Sequence, residues 1–501
     1  MKLEMLCGAA KIDCPERFAG DEVDAVCTDS RAATENSLFV CIKGLHRDSH
    51  EMIPDAVARG AKWIVVQRGC EFQAPQGVPV FVTEDTRRAC SLLYNAFYGF
   101  PSERLKFIGV TGTNGKTSVT HLLRAILETS LCKCGLIGTV GCESAGRRLE
   151  NRMSDRLANM TTPDPPELYR MLSEMVADGV EYVLMEATSH ALSLGKLEPI
   201  RFEAAIFTNL TPDHLDFHGT MEAYAKAKTE LFRKSRLSII NVDSPYADEM
   251  IRAATGRVVT CSQTDSSADY FASDVQTIGQ IGVSFALCSA HSRQSVQCGI
   301  PGAFTVMNSM EAAVCAKELG FGVAAIKDAL ASVGGVRGRM ERLKLGPLAD
   351  FSVIIDYAHT PDALEKLLLT AKQLCKAGER TVVVFGCGGD RDRSKRPLMG
   401  KIASQYADEV IVTSDNSRSE EPEAIIQEIL AGVDPKVSVR IIPDRATAIE
   451  TAILTARAGD MILLAGKGHE EYEITKEGRK PFHERDIVAR ALAERARRRR
   501  V

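Results

Sequence analysis

"KFIGVTGTNGKTS", residues 106–118, predicts a strand, a glycine-rich turn and the start of a helix. Glycines let the backbone curl so that its N–H groups face phosphate oxygens, and the helix adds the positive end of its dipole. Lys116 supplies positive charge, and the Thr117 hydroxyl suits magnesium. Val110 stands where a strict phosphate-binding loop has glycine, so the stretch is a variant. Rather than a tight turn with a solvated lysine, we expect a nucleotide site at Gly112, Thr113, Asn114, Gly115, Lys116 and Thr117.

Short apolar or β-branched runs recur after this stretch, separated by helical patterns. They are "EYVLMEA" (181–187), "AAIFTNL" (204–210), "LSIINV" (237–242), "FSVIIDY" (351–357), "RTVVVFG" (380–386), "EVIVTSD" (409–415), "VSVRII" (437–442) and "DMILLAG" (460–466). Short buried strands that alternate with helices indicate parallel sheets covered on both faces. The predicted fold class is therefore α/β. Polar motifs follow many of these strands, at the sheet edge where ligands of open α/β sheets bind.

The chain of 501 residues is long enough for about three domains. Turn-forming residues cluster at 99–102 and at 334–338, and strand-like runs follow each cluster. We therefore predict domains at 1–101, 102–335 and 336–501. The two larger domains should be α/β, and the first should be a smaller mixed α/β unit.

The composition is that of an ordinary globular protein. Apolar residues make up 45% and charged residues 26%, and the net charge of −4 excludes a general attraction to nucleic acid or anionic membranes. Fifteen cysteines without a C-x-x-C pair are typical of a reducing compartment. The N-terminus is too polar for a secretory signal, and no stretch approaches the roughly 18 apolar residues of a membrane helix. We expect a cytoplasmic protein without nucleic-acid or membrane partners.

The C-terminal stretch "ERARRRRV", residues 494–501, contains five arginines. Such a cluster would suit contacts with nucleic-acid phosphates. A solvated, frayed helix end is the favoured interpretation, because the chain as a whole is not basic.

Two side chains follow strands near the expected nucleotide. Glu186 ends the run "EYVLME", and His214 lies in "TNLTPDHLDFHG" after another strand. A carboxylate and an imidazole beside a triphosphate are candidate magnesium ligands. Because magnesium prefers oxygen, spacing alone favours a hydrogen-bonded structural role for His214, with the ligand role as the alternative.

Eleven short motifs occur in order along the chain. They are "TGTNGKT", "TTPDP", "MEATSHAL", "FTNLTPDHLDFHG", "YAKAKTELF", "PGAFTVMN", "GVRGRME", "DYAHTPDAL", "FGCGGDRDRSKRP", "SDNSRSEEP" and "AGKGHE". Together they closely resemble the Mur ligases of peptidoglycan synthesis, above all the members that add the third amino acid of the peptide. Each motif is weak alone, but eleven in register are not accidental. The resemblance extends from "CTDSR" at Cys27 almost to the C-terminus.

The resemblance implies three domains: a UDP-binding N-terminal unit, a central P-loop ATPase with a mainly parallel sheet, and a C-terminal Rossmann-like domain. It implies an ATP-dependent carbon–nitrogen ligase that joins an amine to a carboxylate through an acyl phosphate. Separately, we expect a monomer. The substrates would be UDP-N-acetylmuramoyl-L-Ala-D-Glu, ATP and an amino acid, with Mg²⁺ as the metal. Because the reactants come from different domains, we expect the C-terminal domain to close before chemistry.

The resemblance also implies roles for single residues. The UDP-muramoyl-peptide would be bound by Ser30, Arg31, Thr161, Thr162, Ser189 and Lys196. The family often has arginine where this chain has Lys196, which leaves that contact open. Beyond the loop, ATP would be bound by Asn308, Arg339 and Asp356, with His359 beside them. The metal would be bound by Thr117, Glu186, His214 and Lys228.

Lys228 matches the lysine that this family carbamylates. An ammonium beside cations and a triphosphate has the wrong charge, whereas a carbamate offers oxygen to magnesium. Without the resemblance, an exposed lysine on a charged helix would be the simpler interpretation, with Lys226 as an equal candidate. Lys116, Lys228 and His359 are the implied catalytic residues, and either His359 or a nearby carboxylate accepts the proton of the attacking amine.

The amino acid that is added depends on Asp415-Asn416-Ser417-Arg418, where diaminopimelate-adding members usually have Asp-Asn-Pro-Arg. By resemblance, the amino acid is bound by Arg391, Asp415, Asn416, Arg418, Gly466 and Glu470. meso-Diaminopimelate has a second carboxylate that L-lysine lacks, and the planar fork of arginine suits it. Lysine-adding relatives commonly lack this arginine. Arg418 therefore favours meso-diaminopimelate, with L-lysine as the alternative.

Two further classes stay open on the sequence alone. A folylpolyglutamate synthetase resembles the same central ATPase, but it normally lacks the N-terminal unit with "CTDSR" and "LFVCIKG". A non-catalytic P-loop nucleotide-binding module would not need acidic, histidine and arginine residues spread over two domains. Both alternatives are disfavoured by these features.

Overall fold

The computed structural model describes residues 1–44, 47–151, 160–278, 282–346 and 349–498. The N-terminal part is a small α/β unit around a parallel sheet. Its elements are α1 (Leu3–Ala10), α2 (Glu16–Ala19), β1 (Ala25–Cys27), β2 (Ser37–Val40), α3 (Ile53–Ala58), β3 (Ala61–Gln67), β4 (Val80–Thr83), α4 (Thr86–Phe97) and α5 (Pro101–Arg104). The four strands are parallel and lie side by side in chain order.

The central part is built on an eleven-stranded sheet. Its elements are β5 (Lys106–Thr111), α6 (Lys116–Thr129), β6 (Cys134–Gly138), β7 (Gly141–Ser144), β8 (Arg147–Leu149), α7 (Pro165–Ala177), β9 (Tyr182–Glu186), α8 (Ser189–Ser193), β10 (Phe202–Phe207), α9 (Leu215–His218), α10 (Met221–Phe232), β11 (Ser235–Asn241), α11 (Ala247–Ala253), β12 (Arg257–Ser262), β13 (Tyr270–Ile278), β14 (Gly282–Ser289), β15 (Ser292–Cys298), α12 (Phe304–Glu318) and α13 (Val323–Ser332). The strand order is β15-β14-β13-β12-β11-β10-β5-β9-β6-β7-β8. The ladders from β12 to β6 are parallel, whereas β14 and β15 at one edge and β7 and β8 at the other pair antiparallel.

The C-terminal part is built on a six-stranded sheet and a hairpin. Its elements are β16 (Glu341–Arg342), β17 (Ser352–Asp356), α14 (Pro361–Leu374), β18 (Thr381–Phe385), α15 (Lys395–Tyr406), β19 (Glu409–Val412), α16 (Pro422–Leu430), β20 (Ser438–Ile441), α17 (Arg445–Thr455), β21 (Met461–Ala465), β22 (Tyr472–Thr475), β23 (Gly478–Pro481) and α18 (Glu484–Arg498). The sheet order is β16-β17-β21-β18-β19-β20, and only the short β16 runs antiparallel to its neighbour among these described strands.

Strand β5 shows why the central sheet is apolar on both faces. Ile108 and Val110 point to one side and pack in the core with α6 and α12, while Phe107 packs in the core on the opposite side. Alternation along a strand sends successive side chains to opposite faces, so a strand covered on both faces needs a continuous apolar run. A Cβ on Gly109 would lie 2.7 Å from Leu231 Cδ1, so glycine is needed at this crowded position.

All nine apolar runs quoted from the sequence lie in strands, and the α/β class with mainly parallel sheets is confirmed. The antiparallel additions at the edges of the central sheet and the hairpin of β22 and β23 were not predicted. The domain limits at 101 and 335 remain a prediction. Helix α5 lies across the first of them and packs against α7 of the central part.

The described end of α18 corrects one expectation. Arg495 is not solvated: it is buried, and its Nη1 donates to the carbonyl of Ile453 at 2.7 Å. Arg499 and Arg500 of the same cluster lie outside the described residues. In the part of the chain that the structure describes, no helix combines the length and apolar character needed to cross a membrane.

Candidate active site

The nucleotide loop, residues 112–115, lies between β5 and α6. Gly112 and Gly115 have φ values of 148° and 90°, a region that favours glycine. A Cβ on Gly115 would lie 2.7 Å from Asn308 Oδ1, and a Cβ on Gly112 would overlap the Thr208 hydroxyl. Both glycines are therefore required by backbone conformation and by close approach.

Asn114 connects the nucleotide loop to two other parts of the molecule. Its carbonyl accepts a hydrogen bond from Thr208 Oγ1 at 2.6 Å, and its N–H donates to Asn209 Oδ1 at 3.0 Å. Its side-chain Nδ2 donates to Asp362 Oδ2 at 2.7 Å, and Asp362 also accepts from Lys366 Nζ at 3.0 Å. The loop is thus tied both to the end of β10 and to the first turn of α14 in the C-terminal part.

Lys116 places its ammonium inside the nucleotide loop. Its Nζ donates to the carbonyls of Gly112 at 2.9 Å and Thr113 at 2.8 Å. Burial lowers the pKa of Lys116 below its usual value, and Glu186 opposes that shift. A cation held against the loop at the N-terminus of α6 is suited to bind phosphate oxygens.

Glu186, at the end of β9, is the centre of a cluster of oxygen atoms. One carboxylate oxygen accepts from the Thr117 hydroxyl and the Thr139 N–H, both at 2.9 Å, and the other accepts from the Thr139 hydroxyl at 2.9 Å. The Thr139 and Thr161 hydroxyls are 3.0 Å apart, and Arg339 Nη2 donates to Thr117 Oγ1 at 3.2 Å. The adjacent hydroxyl and carboxylate of Thr117 and Glu186 are donors of the kind that Mg²⁺ prefers.

Lys228 is buried, whereas Lys226, the other candidate on the same helix, is exposed. The Lys228 Nζ donates to the Gly112 carbonyl at 3.1 Å and lies 4.6 Å from the centre of the Tyr224 ring. Burial lowers the pKa of Lys228 well below its usual value, and Lys116 adds to the shift. The side chain is therefore held beside the nucleotide loop in an environment that disfavours its ammonium form.

His214 directly precedes α9 and has a φ of 54°. Its Nε2 lies 3.4 Å from Asp213 Oδ2, and its ring lies edge-on to His190 with centroids 4.9 Å apart. Burial lowers the pKa of His214. Among the described residues, its ring forms no hydrogen bond with Thr117 or Glu186, so the structure does not join His214 directly to these two of the four expected metal ligands.

A junction cavity of about 190 Å³ is lined from both the central and the C-terminal parts. The lining residues that concern us are Asp213, His214, His359, Arg391, Lys395, Asp415, Asn416, Arg418, Gly466 and Glu470. This cavity thus brings together all six residues expected to bind the amino acid and the expected catalytic histidine. The His359 Nδ1–H donates to the Tyr357 carbonyl at 2.8 Å, which leaves Nε2 as the basic nitrogen. Burial and the charge of Lys395 lower the pKa of His359 to about 4.

Arg418 and Arg391 bring two guanidinium groups to the junction cavity. Arg418 Nη1 donates to the carbonyl of Gly389 at 2.7 Å, and Arg391 Nη1 donates to that of Asp390 at 2.9 Å. Within the described ranges, neither arginine forms an ion pair with a carboxylate. Burial and the charge of Arg391 lower the pKa of Arg418. Two such cations at one cavity favour an anionic ligand.

Lys467 determines which way the Asn416 amide points. Its buried Nζ donates to Asn416 Oδ1 at 3.0 Å, and the same oxygen accepts from the Ile474 N–H at 2.9 Å. The amide nitrogen therefore faces the other way and donates to Glu470 Oε2 at 2.8 Å. Asp415 lies 3.7 Å from the Lys467 ammonium, which helps to keep its carboxylate ionised and its pKa low despite burial.

The nucleotide pocket, about 90 Å³, lies between the central and C-terminal parts. Asn308, Arg339 and Asp356, the three residues expected there, all line it. The Asp356 carboxylate accepts from the backbone N–H groups of Met340 at 2.7 Å and Ala358 at 2.8 Å, and burial raises its pKa. The pocket therefore has polar groups from both parts of the chain.

A larger cleft of about 530 Å³ lies between the N-terminal and central parts, and Ser30, Arg31 and Lys196 line it. Arg31 is exposed and pairs with Asp29 at 2.6 Å. Lys196 is buried, and its Nζ lies 2.7 Å from Asp164 Oδ1. The charge of Lys196 is thus already compensated within the chain, unlike that of the two arginines in the junction cavity.

The remaining expected peptide contacts lie between these cavities. Thr162 donates to the Glu186 carbonyl at 2.8 Å, and Ser189 Oγ lies 2.9 Å from His218 Nε2. Thr161 and Glu470 line one further cleft of about 410 Å³. A continuous row of polar groups therefore extends from the N-terminal cleft toward the junction cavity.

Several residues of the site were not singled out from the sequence. They are Thr139, Asp213, His218, Asp362 and Lys395. Four of them lie inside motifs that were quoted, and Thr139 directly follows β6. Their position after a strand or at the start of a helix was the sequence feature that could have identified them. That feature is weak, because each is a common residue type in an ordinary polar loop.

Comparison with known families gives matches over most of the chain. A family described as the Mur ligase middle domain matches residues 110–316, and one described as the Mur ligase, glutamate ligase domain matches residues 338–468.

Two curated relatives are named UDP-N-acetylmuramoyl-L-alanyl-D-glutamate–2,6-diaminopimelate ligase; the name of the Clostridium acetobutylicum protein ends in the number 1. That of Clostridium acetobutylicum is 40% identical, over 99% of this chain and 100% of its own. That of Geobacillus kaustophilus is 42% identical, over 95% of this chain and 96% of its own. A solved structure described by the same enzyme name has a TM-score of 0.68 and 31% identity, over 99% of this chain and 100% of that chain.

Proposed function

Because this chain belongs to the Mur ligase family, we propose that it is an ATP-dependent ligase that adds meso-diaminopimelate to the D-glutamate of UDP-N-acetylmuramoyl-L-Ala-D-Glu. The product is a precursor of peptidoglycan. Beyond family membership, the observation that supports this function best is the junction cavity. The cavity is lined by the guanidinium groups of Arg391 and Arg418, which form no ion pair among the described residues. It is also lined by Asp213 and His214, which lie next to the nucleotide loop.

In the first step, the γ-carboxylate of D-glutamate attacks the γ-phosphate of ATP, and ADP leaves. Lys116 and the N–H groups of the nucleotide loop offset the negative charge of the transferring phosphoryl group. At the N-terminus of α6, Lys116 Nζ donates to two loop carbonyls, which leaves its third N–H for a phosphate oxygen. The product of this step is an acyl phosphate.

Thr117 and Glu186 fit a bound Mg²⁺, and we assign them, with His214 and Lys228, as its ligands. When bound, the ion would neutralise phosphate charge. The buried Lys228 amine is suited to carbamylation, since a neutral amine adds CO₂ and releases a proton. The resulting carbamate would replace a misplaced positive charge with oxygen donors.

In the second step, the amino group of diaminopimelate attacks the acyl carbon, and phosphate leaves from the tetrahedral intermediate. The amine must lose a proton to attack, and we assign this role to Nε2 of His359, which lines the cavity and has its Nδ1 hydrogen-bonded to the Tyr357 carbonyl. A low pKa makes His359 a weak base, so proton transfer would accompany attack rather than precede it.

Arg418, Arg391 and the fixed Asn416 amide would recognise the distal end of diaminopimelate. A carboxylate between two guanidinium groups satisfies donors that the aliphatic end of L-lysine would leave without partners. L-Lysine is therefore the disfavoured substrate.

The test is phosphate release with UDP-N-acetylmuramoyl-L-Ala-D-Glu and ATP, comparing meso-diaminopimelate with L-lysine. We expect turnover to require both the dipeptide and an amino acid, with diaminopimelate preferred by at least about tenfold in kcat/KM, as expected for loss of a charged hydrogen bond. Equal rates with the two amino acids would contradict the assigned selectivity. ATP hydrolysis at full rate without either acceptor would contradict the ligase function and favour a simple ATPase.

Lys226 and Lys228 offer a matched pair of variants on α10. Lys228→Ala should abolish most turnover, whereas Lys226→Ala should leave it unchanged, because only Lys228 reaches the nucleotide loop. A monomeric state and a cytoplasmic location remain predictions.

A further inference from the structure

His218 connects the expected peptide-binding serine with the nucleotide loop. Its Nε2 lies 2.9 Å from Ser189 Oγ, and its ring stacks on Tyr224 with centroids 5.0 Å apart and planes inclined by 29°. The Tyr224 hydroxyl lies 3.3 Å from Thr113 Oγ1 in the loop. Side-chain contacts are therefore continuous from Ser189 to Thr113.

The local backbone holds His218 in this place. Gly219 follows with a φ of 76°, and Thr220 then begins α10 by accepting a hydrogen bond from the Ala223 N–H at 3.2 Å. Helix α10 packs against α8, which begins at Ser189. The turn between α9 and α10 thus directs the imidazole toward Ser189 while the ring rests on a residue of α10.

The hydrogen bond to Ser189 can have two directions. A neutral imidazole has one N–H, so Nε2 either donates to Ser189 Oγ or accepts from it. If Nε2 has the proton, it donates to Ser189 Oγ, and the single serine proton is free to point elsewhere. A serine that donates outward is complementary to a carboxylate or carbonyl oxygen of a substrate.

We propose that His218 is a positioning residue that aims the Ser189 hydroxyl at the UDP-muramoyl-peptide and ties this contact to the nucleotide loop through Tyr224. The inference rests on the proposed function, because it takes Ser189 as a contact of the peptide. His218 itself need not touch the reacting atoms. Its effect should therefore appear in the KM for the peptide substrate rather than in the KM for ATP.

Two variants separate the hydrogen bond from the ring contact. His218→Phe keeps an aromatic ring on Tyr224 and removes the nitrogen, and His218→Gln keeps a terminal amide donor and removes the ring. We expect His218→Phe to raise the KM for UDP-N-acetylmuramoyl-L-Ala-D-Glu about tenfold, as for loss of one hydrogen bond, with the KM for ATP unchanged. His218→Gln should restore most of the wild-type KM. His291→Phe, at an exposed histidine in the turn after β14, is the matched control and should behave as wild type.

A double-mutant cycle tests whether His218 acts through Ser189. In a Ser189→Ala background, His218→Phe should raise the peptide KM by less than about twofold, because contacting residues are not additive. A full tenfold increase in that background, or an unchanged KM in the single variant, would overturn the proposal. Should His218→Phe not fold, His218→Asn, with an amide too short to reach Ser189, supplies the same comparison.

Wild-type turnover in the same assay tests the ligase function separately. Absence of wild-type turnover contradicts the proposed function, whereas normal wild-type turnover with an unaffected His218→Phe contradicts only this inference.

Discussion

Arg418 owes its direction to the hairpin rather than to the residue before it. Serine stands at 417, where the resemblance to diaminopimelate-adding members leads us to expect proline, and it leaves the backbone freer. Arg418 nevertheless adopts a φ of 52°, and its N–H donates to the Ile474 carbonyl at 3.0 Å. Arg418→Lys keeps the charge but loses the planar fork. We expect it to raise the KM for meso-diaminopimelate about 10- to 100-fold, with little change for ATP. Steady-state kinetics test this, with Arg490→Lys, at an exposed position of α18, as control. A KM within twofold of wild type would show that Arg418 does not bind the second carboxylate.

Glu311 predicts a pH-dependent stability. It is fully buried in α12, neither carboxylate oxygen has a hydrogen-bond partner among the described residues, and burial raises its pKa well above 4.5. Below pH 4.5 the Glu311 carboxyl is protonated in both the folded and the unfolded chain, so its ionisation does not affect the free energy of unfolding. As the pH rises, the carboxyl ionises only in the unfolded chain, and the free energy of unfolding falls.

Glu311→Met should therefore stabilise the central part, by roughly 1–3 kcal/mol at neutral pH, the usual cost of an unpaired buried polar group. The gain should be larger at pH 8 than at pH 5. Thermal melts of both proteins at the two pH values measure it, with Glu181→Met, at an exposed position directly before β9, as control. A gain that is constant or shrinks with increasing pH would count against a protonated Glu311.

A motif helps most at the scale of single residues when it fixes both residue type and position. Asn114 and Gly115 of the nucleotide loop line the nucleotide pocket, the six residues expected to bind the amino acid line the junction cavity, and Glu186 accepts a hydrogen bond from Thr117. The pairing of Lys196 with Asp164 and the burial of Arg495 were not predictable, because each depends on a partner from a distant segment. Local sequence does not show which charged side chain will meet which.

At the scale of elements, the strand–loop–helix unit of β5 and α6 depends on Gly115. We expect Gly115→Ala to weaken ATP binding at least about tenfold, since the new Cβ meets Asn308 and the left-handed backbone is strained by 1–2 kcal/mol. Gly146→Ala is the matched control, because Gly146 also has positive φ, 83°, but nothing lies near its Cβ. Calorimetric titration with ATP should show normal affinity for the control. Normal affinity for Gly115→Ala would mean that the loop tolerates the side chain.

Strands could be predicted from the sequence where both faces of the sheet are buried, but not where one face is exposed. The central strands are continuous apolar runs, which the sequence shows directly. Strand β15, "SRQSVQC", alternates exposed and buried residues and contains few apolar ones, so its pairing with β14 was missed. The hairpin of β22 and β23 has even less apolar signal, although it fixes the backbone of Arg418.

At the scale of the whole molecule, the nucleotide pocket joins the central and C-terminal parts. Asn114 and Asn308 come from one side and Asp356 and Lys366 from the other, and the Asn114–Asp362 hydrogen bond already spans the junction. A ligand that contacts both sides should stabilise them as one unit. Domain closure during turnover would then begin from contacts that exist before the substrates bind.

Asp362→Ala tests this coupling. A non-hydrolysable ATP analogue at 100 times its Kd should stabilise the wild-type protein by about 2.7 kcal/mol, and calorimetry should show the central and C-terminal transitions rising together. In Asp362→Ala, the analogue should raise mainly the transition temperature of the central part, because the hydrogen bond from Asn114 to Asp362 in α14 is lost. Asp328→Ala, at an exposed position of α13, should behave as wild type. If both transitions still rise together in Asp362→Ala, the Asn114–Asp362 hydrogen bond does not couple the two parts. Among the described residues, Arg339 Nη2 also donates across the junction, to Thr117 Oγ1 at 3.2 Å.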